Sequence, residues 1–183
     1  VTLFPLPYFN YRRWLSKAPV YGFTLLYYQY SNPGKLLKKL NRHGWKFIYI
    51  VRKNSLDQSF SQLVAEKTAV WHRRTDDEFV TPMLRIKPED LLFRINMVLK
   101  NKHNASSLIK NFEHHSVVYE EDLLNGEMWE NTCNEIFDFL GTMPAPVKAS
   151  LKKTYPKPYA EIVENYDYLI DYLRKENIDW FKI

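Results

Sequence analysis

The run Phe47-Ile48-Tyr49-Ile50-Val51 constrains this chain more than any other stretch. Consecutive β-branched and aromatic residues leave no polar position, so both faces of the resulting strand require cover. A strand of that kind belongs in a parallel sheet flanked by helices. The sequence that follows agrees. Ser55-Leu56-Asp57-Gln58 matches a capping box with Ser55 as N-cap, and Leu56, Phe60, Leu63, Val64, Val70 and Trp71 follow at helical spacing. Arg52 stands at the junction. Ligands of parallel sheets gather beyond the carboxyl ends of strands, where helix N-termini present unpaired amides. A guanidinium there is placed to grip a phosphate bidentately, with Ser55, Ser59 and Ser61 as accessory hydroxyls. The plainer alternative is an arginine that is solvated or paired with a carboxylate.

The rest of the chain fills in an alternation of strands and helices. Residues 1–19 carry three prolines and an aromatic cluster, and read as an irregular segment with a helix around Phe9–Leu15. Val20–Tyr28 reads as a buried strand. Asn32-Pro33-Gly34 breaks the chain before an amphipathic helix at Lys35–Arg42. Asn32-Pro33-Gly34-Lys35 lacks the first glycine and the Ser/Thr of a phosphate loop, so it reads as a turn and helix start. Thr75–Pro88 is a polar excursion, and Pro88 opens a helix through Leu91, Leu92, Ile95, Val98 and Leu99. Ser116–Tyr119 is a short third strand. Trp129, Cys133, Ile136, Phe137 and Leu140 mark a helix that Gly141 ends. Residues 142–158, with four prolines, form a long loop or linker. Tyr159, Ile162, Val163, Tyr166, Ile170 and Leu173 define a last helix. The order predicts an α/β fold, a three-layer sandwich around a central parallel sheet.

Composition narrows the function classes. The 183 residues suit a single domain over 1–183 with a real core. The net charge of +5 fits a protein that holds anionic groups. Its basic residues are scattered in pairs such as Arg12–Arg13 and Arg73–Arg74, which argues against nucleic acid as partner. No apolar run reaches the roughly 18 residues that a membrane span needs. The single cysteine, Cys133, reads as a small core residue, excludes an intrachain disulfide, and suits a reducing, cytoplasmic setting. No metal-binding signature is present, and no metal is expected.

Four segments together resemble the bacterial and carbohydrate sulfotransferases that use 3′-phosphoadenosine 5′-phosphosulfate. The first is KFIYIVRKNSLDQSFSQLVAEKTAVWH (46–72), with Arg52, Asn54, Leu56, Gln58, Ser61, Ala65 and Trp71 in the family's pattern. The resemblance implies that Arg52 and Ser61 bind the 3′-phosphate, with Ser59 as the spare hydroxyl. VYGFTLL (20–26) looks like the preceding strand, although Thr24 stands where many members have lysine. VVYEEDLL (117–124), with the later FDFLG (137–141), resembles the segment whose tyrosine touches adenine, which falls on Tyr119. LKKTYPKPYAEIVENYDYLIDYL (151–173) looks like the basic loop and closing helix, and would bring Lys152 and Lys153 to the cofactor's phosphates. The resemblance spans roughly 20–181. It implies a P-loop-like sulfotransferase fold, the cofactor or its product 3′-phosphoadenosine 5′-phosphate, and a hydroxyl-bearing acceptor such as a carbohydrate or small metabolite, with Thr75–Pro88 as the place to look for acceptor contacts.

Half of such a site has no counterpart in the sequence. Gly22, Gly34, Gly44, Gly126 and Gly141 are isolated, so no Gly/Ser/Thr-rich turn presents itself for the 5′-phosphosulfate. With Val1 as first residue, the chain reads as a domain incomplete at its N-terminus. No catalytic base is assigned among His72, His114 and His115. Two other readings stand beside the enzyme. One is a non-catalytic relative that keeps the 3′-phosphate site as an interaction module. The other, another phosphotransferase, is disfavoured by the lack of a Walker or kinase signature.

Overall fold

The apolar run at 47–51 does form a strand, and its partner is the short apolar run of the C-terminal half. A computed structural model of the chain describes residues 11–12, 14–16, 18, 20–74, 83–148, 151–152, 155 and 157–180, with 73–74 and 151–152 described by backbone alone. In chain order the elements are α1 (Pro33–Arg42), β1 (Phe47–Val51), α2 (Ser55–Thr68), β2 (Arg73–Arg74), α3 (Pro88–Ile109), β3 (His114–Val118), α4 (Trp129–Leu140), β4 (Leu151–Lys152), α5 (Tyr159–Ile162) and α6 (Tyr166–Lys175), with a π turn at Tyr119–Leu123. Strands β1 and β3 pair in parallel, from Phe47 opposite His114 to Val51 opposite Val118. A separate antiparallel pair joins β2 to β4. The architecture is thus mixed helix and strand around a two-stranded parallel sheet.

Two clusters make the core. In the larger, Leu56, Phe60, Leu63 and Val64 of α2 pack against Leu91 and Ile95 of α3 and against Tyr159, Ile162, Leu169 and Leu173. Phe60 is fully buried and lies in stacked contact with Tyr159 and Tyr166, at 5.4 and 5.3 Å between ring centroids. In the smaller, Leu36, Leu37 and Leu40 of α1 meet Ile109, with Phe23, Leu25, Trp45, Phe47 and Tyr49 against them. Asn32 caps α1 by accepting from the Lys35 amide at 3.0 Å, and Pro33 takes the first helical position, where its missing N–H costs nothing. The Asn32–Lys35 turn is therefore a helix start, as its sequence indicates.

Several boundaries differ from the sequence expectation. Among the described residues, strand β1 is covered on one side only: Phe47 and Tyr49 meet the α1 cluster, while Ile48 and Ile50 are 39% and 59% exposed. A third layer over β1 is not formed among the described residues. Val20–Leu26 is not a strand. It has no ladder partner among the described residues and packs through alternate side chains, with Tyr21 and Phe23 edge-on to Trp45. The cap of α2 is Asn54, not Ser55, because Asn54 Oδ1 accepts from the Asp57 amide at 3.0 Å. That helix stops at Thr68, where Ala69 turns left-handed at φ 57°, and Trp71 lies exposed beyond it. The expected last helix is two helices. Val163 leaves the helical path to bridge Leu84, whose amide and carbonyl bond to the Ile162 carbonyl and Glu164 amide at 2.9 Å each. Gly141 ends α4 at φ 74°, a conformation that suits glycine. Half-buried Cys133 lies in α4. No described helix is long and apolar enough to cross a membrane.

Phe60 carries the stacking between α2 and the C-terminal helices. Phe60→Ala is expected to destabilise the fold by about 3–5 kcal/mol through lost burial and a residual cavity. Urea unfolding measures it. A loss below about 1 kcal/mol would show that the aromatic stack is not the core of the molecule.

Candidate functional site

Parallel pairing sets up the site. Because Val51 lies opposite Val118, the next residues, Arg52 and Tyr119, leave the sheet side by side at its carboxyl end. The Arg52 guanidinium carbon sits 4.5 Å from the centroid of the Tyr119 ring, within cation–π range. Two residues that the family resemblance implies for a common ligand are therefore neighbours. The Tyr119 ring face is used to seat the arginine, a role that its place in the sequence did not suggest.

The acids that follow Tyr119 are divided among three tasks. Glu120 turns inward. Its Oε2 accepts from the Lys53 amide at 2.8 Å and its Oε1 from the Asn54 amide at 3.2 Å, and Oε1 lies 3.8 Å from Arg52 Nε. Glu121 forms an ion pair with the Lys53 ammonium. Asp122 accepts from the amide of Val118, at the end of its own strand, at 2.5 Å. Arg52 Nε is buried and has no hydrogen-bond partner among the described residues.

On the opposite side of the same turn stands a lysine from α3. Lys102 is buried, and its ammonium donates to the Lys53 carbonyl at 3.1 Å and the Ser55 hydroxyl at 2.9 Å. Burial pushes its pKa below the ordinary lysine value, an effect that the Glu120 charge partly offsets. Sequence reasoning passed over Lys102, yet a signal was present. Leu91, Ile95 and Val98 fix an apolar stripe, and position 102 continues it. A lysine on a buried stripe must have polar partners.

Ser61 and Tyr159 complete the group. The Ser61 side chain and the Arg52 charge both act on the ionisation of the Tyr159 hydroxyl, which places the three in one neighbourhood. Burial raises the Tyr159 pKa above the ordinary phenol value, while Ser61 and Arg52 work in the opposite direction. Tyr159 was legible only as a core residue of the last helix. Ser59 is elsewhere. It is fully buried, and its hydroxyl donates to the Ser55 carbonyl at 2.7 Å, so it serves the helix backbone.

The remaining candidates lie away from this group or outside the described residues. The backbone of Lys152 pairs with Arg73, in the segment that leaves the far end of α2, a helix of 14 residues or about 21 Å. Lys153 lies outside the described residues, as does 75–82, most of the segment expected to meet an acceptor. His72 is exposed. His114 bonds the Phe112 carbonyl at 2.8 Å, and His115 lies 3.9 Å from Glu135, so neither faces Arg52. A concavity of about 600 Å³ opens beside the start of α2, with Asn54, Tyr166 and Trp180 on its wall. Asp57, Asp167 and Asp171 also line it against the single cation Arg174, a balance unfavourable to an anion. Among the described residues no group of three or more His, Cys, Asp or Glu is placed to hold a metal ion.

The arrangement can therefore present one guanidinium and two hydroxyls to an anion at the carboxyl end of a parallel sheet. In comparison with known proteins, no family model, no curated protein and no solved structure matches the chain.

Lys102 gives a pH signature. Its folded-state pKa lies below the 10.5 of the unfolded chain, so between those two values the unfolded state binds more protons and stability rises with pH. The unfolding free energy of the wild type minus that of Lys102→Met is therefore expected to climb from neutral pH towards 10.5, read by urea unfolding across that range. A difference that stays flat would mean that Lys102 carries no burial penalty.

Proposed function

We propose that the chain is a sulfotransferase-type nucleotide-binding domain of P-loop-like three-layer fold that moves a sulfuryl group from 3′-phosphoadenosine 5′-phosphosulfate to a hydroxyl of a carbohydrate or small metabolite. The observation that carries the reading is the convergence of Arg52, Tyr119 and Ser61. They come from segments that resemble that family: Arg52 and Tyr119 are in contact at the carboxyl end of β1 and β3, and Ser61 lies in the second turn of α2, the helix that starts there. Tyr159 adds a second hydroxyl beside Ser61. In this reading the Arg52 guanidinium and the two hydroxyls receive the 3′-phosphate, and Tyr119 holds the guanidinium plane while its ring edge faces the nucleoside.

Sulfuryl transfer forms a bond from the acceptor oxygen to sulfur as the bond from sulfur to the 5′-phosphate oxygen breaks. The acceptor proton needs a base, and the leaving phosphate needs positive charge. The group around Arg52 supplies the anchorage of the nucleotide and neither of those two functions. An interaction module that retains the 3′-phosphate site is the second reading. It is favoured by the exposed Ile48 and Ile50 on the uncovered face of β1, a surface of the kind that partners cover.

Calorimetric titration of the full chain with adenosine 3′,5′-bisphosphate tests the site. Arg52→Ala is expected to abolish binding with the thermal melt unchanged, because the side chain is partly exposed and outside the core clusters. Tyr119→Ala is expected to weaken binding by about 0.5–2 kcal/mol, the scale of the lost cation–π contact that seats Arg52. Unchanged affinity in Arg52→Ala would remove the phosphate site from this position.

A further inference from the structure

A helix start beside an arginine suggests an anion cradled by backbone amides, but at α2 the amides of Lys53, Asn54, Ser55 and Asp57 are already occupied. The Lys53 and Asn54 amides donate to Glu120 at 2.8 and 3.2 Å. The Ser55 amide donates to the Trp180 carbonyl at 3.1 Å, and the Asp57 amide to Asn54 Oδ1 at 3.0 Å. The Glu120 carboxylate thus sits where a helix-start anion would sit. From the other side the buried Lys102 ammonium holds the Lys53 carbonyl and the Ser55 hydroxyl. The turn that delivers Arg52 is therefore gripped between two charged residues of opposite sign, one from the end of β3 and one from α3.

We infer that Glu120 and Lys102 are positioning residues which clamp the β1–α2 turn, so that an anion at this site is read by the side chains of Arg52, Ser61 and Tyr159 and not by the amides of the helix start. The inference rests on the reading of this position as a phosphate site. Three features of the geometry lead to it. Glu120 makes two hydrogen bonds to successive amides, a geometry in which one carboxylate fixes the direction of the chain after β1. The same oxygen faces Arg52 Nε at 3.8 Å, which biases the guanidinium to turn its two outer nitrogens away from the turn and towards solvent. Tyr119, the neighbour of Glu120, holds the guanidinium plane at 4.5 Å. The arginine is thus oriented before any ligand arrives, and its ordering entropy is already met by the fold. The arrangement also selects. A ligand that needs backbone amides would have to expel a carboxylate held by two hydrogen bonds, whereas a phosphate monoester projecting from a larger molecule needs only the outward-facing donors.

The test uses the isotope-labelled full chain with adenosine 3′,5′-bisphosphate as probe. Amide hydrogen exchange at Lys53 and Asn54 is expected to be slow in the free protein, equally slow at saturation, and fast in Glu120→Gln. That variant is expected to bind about tenfold more weakly, the size of one lost charge-assisted hydrogen bond. In an Arg52→Lys background the same change is expected to have no further effect, which separates positioning of Arg52 from general stability. Lys102→Met is expected to weaken binding in the same direction. Should that variant not fold, the Glu120 arm still decides the matter. Exchange that becomes fast on ligand addition, or tighter binding by Glu120→Gln, would show that phosphate displaces Glu120, and would overturn this inference alone. Slow exchange in a wild-type chain that binds no bisphosphate would overturn the phosphate reading, and this inference with it.

Discussion

The in-register parallel pairing of β1 with β3 is the constraint on which the rest of this structure depends. A parallel pair ends with both strands pointing the same way, so the residues that follow emerge together. Here those residues are Arg52 and Tyr119, more than sixty positions apart in the chain and in ring-to-guanidinium contact in the fold. A shift of one residue in the pairing would reverse the side of the sheet that each residue faces. The register is held by side chains on both ends. Phe47 packs edge-on to Phe112 at the start, while Glu120 and Lys102 grip the turn at the finish.

The turn between β1 and α2 shows how polar burial can define a site. Charged groups in an interior are costly unless they are fully partnered. Lys102 and Glu120 meet that condition by bonding to one short stretch of backbone, which becomes a rigid mount for the arginine. The hydrophobic core supports the other half of the group. Phe60 stacks on Tyr159 and Tyr166, and Ser61, the next residue along α2, is thereby brought to the neighbourhood of the Tyr159 hydroxyl, on whose ionisation it acts. Packing of an apolar face and presentation of a polar one are the same event here.

How much of this was legible in the sequence follows from what periodicity encodes. The strand at 47–51, the helices after 33, 55, 88 and 129, and the glycine stop at 141 all follow from local pattern and turn chemistry, and the structure contains them. Arg52, Ser61 and Tyr119 were readable as candidates because each stands at a strand end or early in a helix within a stretch of recognisable pattern. What pattern could not give was cover. FIYIV demands two covered faces, and one is left open at Ile48 and Ile50, because burial depends on which other elements arrive. Val20–Leu26 has strand composition yet no ladder partner among the described residues, since β-propensity describes a fit to a surface and not a hydrogen bond. The break at Val163 arises from a bridge to Leu84, nearly eighty residues earlier, which no local reading contains. Glu120 stood within a motif that was noticed for its tyrosine. Lys102 interrupted a clean apolar stripe, and the stripe was the clue.

The central claim is that the carboxyl end of this two-stranded sheet is an anion site built on Arg52. A crystal structure of the full chain grown with adenosine 3′,5′-bisphosphate tests it most directly. The account predicts a phosphate within hydrogen-bonding distance of the Arg52 guanidinium and the Ser61 hydroxyl, with Glu120 still on the Lys53 and Asn54 amides. A nucleotide bound elsewhere on the molecule, with nothing at Arg52, would contradict it.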